Sequence, residues 1–219
     1  MAADTFSATD GRERAGATGS TRSTRSTTRE RILAAATARF GARGVDAVSL
    51  DEIATAVGVR KQTVLYWFAT KDELVDAVFA QGVEQIGLVI DAAVRAAPAD
   101  ALARLDSVVN ALFRAAVRTP AVLGLVRELS RLPEERASRL RRHVEPLVER
   151  AVAYLGAEMM AGRLRAGDPR LVAALAASTV TGIATDPATL RAVGWRPDAA
   201  ELRRLRREVR HFLRAALAP

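Results

Sequence analysis

From about residue 27 onward, apolar positions recur three and four apart, and no stretch alternates over a strand's length, so the pattern predicts helices throughout. The first helix is expected to start at Thr27, where Thr27 and Glu30 have the spacing of a capping box. It runs through Ile32, Leu33, Ala36 and Phe40 and ends at Gly41 and Gly44. A second helix starts at Ser49, with Glu52 three residues on, and carries Ile53, Ala54 and Val57. Gly58 supplies a residue that turns left-handed at a helix end, and Val59 and Val64 give a third helix its apolar side. Ala54, Gly58 and Val64, four and then six residues apart, form the packing core of two helices joined by a tight turn. Thr70 and Glu73 repeat the capping spacing and open a long helix through Leu74, Val75, Val78 and Phe79 to about Arg95.

Beyond Pro98 the punctuation rests on proline. Asp100 starts a helix to about Arg118, Thr119–Pro120 one to about Arg131, and Pro133 a long one through Tyr154 to about Met160, expected to kink at Pro146. Asp168–Pro169 and Asp186–Pro187 each read as a cap followed by a first turn. A last helix spans about Asp198 to Ala216, with Leu202, Leu205, Val209, Phe212, Leu213 and Ala216 as its stripe and arginines over the rest. Residues 171–185 hold no charge, and a helix small or apolar all round must be covered on every side.

On the third helix the residues left facing outward are Arg60, Lys61, Gln62, Thr63 and Tyr66, groups that donate hydrogen bonds to phosphates and base edges. Lys71 follows the Thr70 cap, where free backbone N–H groups and the helix dipole favour an anion. Arg60 and Gln62 have the chemistry for base reading, since Arg pairs bidentately with guanine and Gln with adenine. Residues 49–73 therefore read as a DNA-binding helix-turn-helix with its next helix attached.

Composition narrows the alternatives. Hydrophobic residues make up 49% of the 219, which permits a large core, but aromatics make up only 5%, so that core is built of Ala, Leu and Val. Cysteine is absent, which excludes disulfides, thiolate metal sites and cysteine nucleophiles. There are two histidines, His143 and His211, and no G-x-S-x-G elbow, phosphate loop or dinucleotide fingerprint, so no enzyme activity, cofactor or metal is expected. The N-terminus has no apolar run resembling a signal peptide, and residues 171–185 are too short to span a bilayer, so a cytoplasmic protein with no membrane partner is expected. The net charge of +8 lies mostly outside the reading head, because residues 28–80 carry seven basic and seven acidic groups. Both lysines of the chain, Lys61 and Lys71, fall within the head.

Residues 27–80, and above all GVRKQTVLYWFATKDEL, resemble the TetR-type one-component transcriptional regulators, through the pattern G-V-x-K-x-T-x-x-Y-x-F-x-x-K-x-x-L. Leu65 stands where the family often has a second Tyr, and Trp67 where His is common. The resemblance implies an all-α chain: an N-terminal three-helix helix-turn-helix domain plus a larger helical ligand-binding and dimerisation domain. It also implies a homodimer through the last two long helices. Ser49, Arg60, Lys61, Gln62, Thr63, Tyr66 and Lys71 are the candidate DNA contacts, with Thr63, Tyr66 and Lys71 at positions where family members touch phosphates.

The expected organisation is a disordered Ser/Thr/Arg-rich arm at 1–26, a DNA-binding domain at 27–72 and an effector-binding and dimerisation domain at 73–219. The arm is either an inert tail or a segment laid against DNA. Two-fold symmetry would set the heads on successive major grooves of double-stranded DNA and predicts a pseudo-palindromic operator. The expected function is a repressor released by an unidentified small lipophilic effector, neutral or anionic. Asn110, Phe113, Arg114, Leu123, Arg127, His143 and Tyr154 are the candidates to line its pocket. The rival reading keeps the DNA head but has no small-molecule effector, and is controlled by abundance or a protein partner.

Overall fold

The computed structural model describes residues 18–118, 121, 125, 132–185, 187–196 and 198–219, all helix and turn with no strand among them. In chain order the helices are α1 (Thr18–Arg43), α2 (Leu50–Val57), α3 (Lys61–Trp67), α4 (Lys71–Ala96) and α5 (Ala101–Arg118). They are followed by α6 (Glu134–Met160), α7 (Pro169–Thr185), α8 (Pro187–Ala192) and α9 (Ala199–Leu217). The expected helix from Thr119 to Arg131 lies mostly outside the described residues, as does the arm over residues 1–17.

Local chemistry accounts for most of the boundaries. Ser49 caps α2 with a complete capping box: its hydroxyl accepts from Glu52 N (3.2 Å), and its own N–H donates to Glu52 Oε2 (2.8 Å). Gly58 closes α2 at φ 73°, a left-handed conformation that costs a side-chain-bearing residue about 1 kcal/mol. At Thr70 the hydroxyl accepts from Glu73 N, but the Glu73 carboxylate reaches one residue further back, to Ala69 N (2.9 Å), so the expected reciprocal box is only half formed. Asp198 caps α9 through both Ala200 N and Glu201 N.

Two expectations are corrected. Helix α1 begins at Thr18, so Thr27 lies inside it rather than at its start. Once the packed turns around Ile32 and Leu33 exist, each further residue adds a hydrogen bond without a new nucleation cost, and the helix propagates backwards through a polar sequence. Gly41 likewise does not end α1; it is buried within it, and a Cβ there would lie 2.8 Å from the Cα of Ala121, so a side chain is excluded by close helix packing. Gly44, at φ 87°, is the terminator. Pro146 lies within α6, inside the long helix expected there.

The main core joins α1, α2, α3 and the start of α4 through Ile32, Phe40, Val48, Ile53, Val64, Phe68, Leu74 and Val78. It does not stop at residue 72: Leu125, Leu132, Ala137 and Leu140 are buried in the same cluster. Two smaller clusters hold the far end together, one around Ala101, Leu164 and Leu217, the other around Val109, Val209 and Leu213. Helix α4 is long and apolar enough by length and composition to cross a membrane. Its Leu74, Val75, Val78 and Phe79 are spent on the core described above.

Candidate nucleic-acid interface and effector region

Helix α3 turns one side into the core and the other outward. Val64 is fully buried, whereas Tyr66 is 67% exposed, and Arg60, Lys61 and Gln62 are exposed with it. Thr63 and Trp67 are half-buried, and Trp67 packs on the head core with its ring edge-on to Tyr66. The packing that fixes this face comes from the neighbouring helix and from two arginines of α1. The Arg31 guanidinium donates to the Val57 carbonyl and so satisfies the C-terminus of α2 just before the turn. Arg29 lies over the Phe68 ring at 5.4 Å.

The candidate contacts differ in how free they are. Arg60 is the N-cap residue of α3, and its side chain makes no capping bond. Lys61 Nζ is 2.7 Å from Asp51 Oδ2, so α2 holds it in the free protein. Ser49 spends its oxygen on the cap of α2 but keeps its hydroxyl proton for a further acceptor. Lys71 sits half-buried at the first position of α4 with no ion pair among the described residues. Its neighbours Asp72 and Asp76 are instead taken by Arg136, Arg139 and His143 of α6. The Glu52 carboxyl is held down at about 2 by the Ser49 backbone N–H and then by the Arg43 guanidinium (2.6 Å), which keeps the cap of α2 charged.

The candidate pocket residues do not converge on one spot. Asn110 and Phe113 are half-buried on α5, and Phe113 packs toward α7 and α9, while Arg114 is exposed. His143 Nε2 is 3.1 Å from Asp76 Oδ1 and belongs to the junction with the head. Tyr154 lies three turns further along α6, about 16 Å by helical rise. Its buried hydroxyl has no partner among the described residues, and Arg104 approaches its ring at 6.0 Å. Leu123 and Arg127 lie outside the described residues. Between Gly82 and Ala93 in α4, and between Leu140 and Glu158 in α6, no residue is buried, so the middle of both helices is only partly packed.

The exposed arginines of α9 hid a residue that sequence reading missed. Asp106 of α5 is buried and receives Arg210 Nη2 at 2.7 Å and Arg214 Nη1 at 2.6 Å. Burial pushes its carboxyl up, but the hydrogen bond and charge of Arg210, joined by Arg214, outweigh that and hold it below its ordinary value. The only sequence signal was one acid inside an apolar stripe of α5, opposite an arginine-rich helix. Of the stripe assigned to α9, Val209 and Leu213 are buried as expected, but Phe212 is 60% exposed.

Among described residues no group of His, Asp and Glu has the arrangement to hold a metal ion. The chain matches the model of the bacterial regulatory proteins of the tetR family over residues 32–78 and that of the AefR-like transcriptional repressor C-terminal domain over residues 101–215. No curated protein matches it. Its fold is shared with the fatty acid degradation regulator FadR of Bacillus halodurans (TM-score 0.71, 19% identity, covering 85% of this chain and 94% of that one). It is shared too with the ketosteroid transcriptional regulator KstR2 of Mycobacterium tuberculosis (0.66, 21%, 87% and 95%). A third likeness is to AibR, solved with isovaleryl coenzyme A and operator DNA (0.70, 18%, 85% and 97%). At these identities the likenesses show fold alone, whereas the two family matches together take in both the head and the helical body. The chain belongs to the TetR family of transcriptional regulators and carries that family's helix-turn-helix DNA-binding domain.

Proposed function

We propose that the protein is a dimeric repressor that binds a pseudo-palindromic operator and leaves it when a small lipophilic effector, neutral or anionic, enters the helical body. The observation that carries the DNA reading is the split of α3 between a buried Val64 and an outward Arg60, Gln62 and Tyr66, with Lys71, which has no ion pair among the described residues, at the start of the next helix. Arg60 and Gln62 read base edges. Ser49, Lys61, Thr63, Tyr66 and Lys71 bind phosphates and set the register.

Dimerisation through α7 and α9 is supported by Leu171, Leu175 and Phe212, which are 63%, 69% and 60% exposed, and by α7 burying none of its described side chains within the chain. The effector reading is supported by the half-packed middle of α4 and α6 and by the unpartnered Tyr154 hydroxyl. AibR, of the same fold, binds isovaleryl coenzyme A, and an arginine-rich body with few aromatics suits an acyl or anionic effector better than a cationic one.

Hydroxyl-radical footprinting on DNA from upstream of the protein's own gene tests the dimeric mode. Two protected patches about one helical turn, or 34 Å, apart are expected, and Leu175→Glu should abolish them by keeping the chains apart. A single patch unaffected by Leu175→Glu would contradict it.

A further inference from the structure

Most of the net charge of +8 lies outside the reading head, and the DNA reading makes no use of it. Helix α9 sorts its share of that charge by face. Arg203, Arg207, Arg210 and Arg214 recur four, three and four residues apart and form one ridge. Glu201, Glu208 and Phe212, seven and four apart, form another. The nine residues from Arg203 to Phe212 make two and a half turns, so the two ridges lie on opposite sides of the helix. The acids of α9, and with Phe212 the proposed dimer face, are thus turned away from the arginines.

The arginine ridge runs along α5. At one end the buried Asp106 takes Arg210 Nη2 at 2.7 Å and Arg214 Nη1 at 2.6 Å. Val109 is buried with Val209 and Leu213, and Phe113 and Leu205 pack against the same cluster, so the two helices run antiparallel in a fixed register. One turn along each helix from Asp106 and Arg210, Asn110 comes level with Arg207; one turn more brings Arg114 level with Arg203. Here no acid answers. Asp106 is the one acid of α5, and α7, which also packs on α9, holds no charge over residues 171–185. Arg114, Arg203 and Arg207 are exposed and have no acid partner among the described residues. Like charges level with one another on two packed helices repel, and an anion between them turns that repulsion into attraction.

The donors define the anion. Each guanidinium offers a planar fork of N–H groups, and three forks within about 6 Å of helical rise exceed what the two oxygens of one carboxylate can accept. A phosphate group, with three oxygens and up to two charges, suits them. Asn110, half-buried at the middle level, adds an amide donor. The edge is short, closed by the Asp106 pairs at one end and by the start of α9 at Ala199 at the other, so it offers no long track for a polymer. We propose that this edge of the body binds a compact phosphate-bearing small molecule through Arg114, Arg203 and Arg207, with Asn110 donating beside them. The site is separate from the reading head and from the region around Tyr154, and it stands whichever way those readings fall.

Calorimetric titration of the full chain with sodium pyrophosphate, at an ionic strength held constant with sodium chloride, tests the site. Saturable binding of one pyrophosphate per chain is expected, with a rise in melting temperature, because the ligand clamps α5 to α9. Arg114→Gln with Arg207→Gln should weaken binding about tenfold or more, whereas Arg142→Gln with Arg204→Gln should change it less than about twofold. All four arginines are exposed, and the second pair removes the same charge away from the ridge. Absence of saturable binding up to about 10 mM would overturn the proposal. Equal weakening by the two double variants would overturn it too, by marking a general effect of net charge. Binding of random-sequence duplex through Arg114 and Arg207, with pyrophosphate unable to compete, would assign the edge to nucleic acid and likewise overturn it.

Discussion

In the free protein Lys61 Nζ is held 2.7 Å from Asp51 Oδ2, so a phosphate reaching Lys61 has to displace a carboxylate. The pair is exposed on both sides, and exposed pairs are worth about 0.2–1 kcal/mol. Asp51→Asn is therefore predicted to tighten DNA binding about two- to fivefold and to steepen its salt dependence, measured by titration at several ionic strengths. Unchanged or weaker binding would mean that Lys61 does not reach the phosphates. Lys71 is the contrasting case, with no carboxylate to leave among the described residues, because α6 has claimed both Asp72 and Asp76. That Arg60, Lys61, Gln62 and Tyr66 face outward was legible in the sequence, because the place of a residue on a short helix suffices. Which of them are free was not legible: the α6 partners of Asp72 and Asp76 lie more than sixty residues away.

Helix α2 shows what a cap does for an element. Its charged Glu52 closes the box on Ser49 and is held by Arg43, and this is why its carboxyl lies at about 2 against an ordinary 4.5. A carboxyl depressed in the folded state contributes stability that is complete above its ordinary value and is lost as pH falls toward the folded one. Glu52→Gln is thus predicted to lower the melting temperature at neutral pH, with the gap to the wild type closing between about pH 4.5 and 2. A gap that is constant with pH would contradict the charged cap. This box was readable because everything it needs lies within four residues. The Thr27 start failed for the converse reason: a good cap sequence does not stop a helix whose neighbouring turns are already packed.

At the scale of the molecule, long-range packing governs what local pattern cannot report. The all-helical class and the order of head and body followed from periodicity and prolines, yet Ala137 and Leu140 of α6 are packed into the head cluster. Asp106 is of the same kind, since it ties α5 to α9 across more than a hundred residues through Arg210 and Arg214. Asp106→Asn is predicted to destabilise the protein by about 2 kcal/mol in a denaturant titration, below the range for a fully buried pair because both arginines are partly exposed. Since the Asp106 carboxyl titrates below its ordinary value of 3.8 in the folded chain, that stabilisation is complete above about pH 4 and fades on further acidification. An unchanged midpoint would show that the ion pair contributes nothing net.

We propose that this family member reads DNA with the outward face of α3 and the start of α4. Fluorescence anisotropy on duplex from upstream of its own gene, over a range of salt, tests it most directly when the wild type is run beside a Lys71→Ala, Tyr66→Phe double variant. Saturable, salt-sensitive binding is predicted, weakened about tenfold or more in the variant, with a salt slope shallower by about one. Binding by the variant equal to that of the wild type would contradict the assigned reading face.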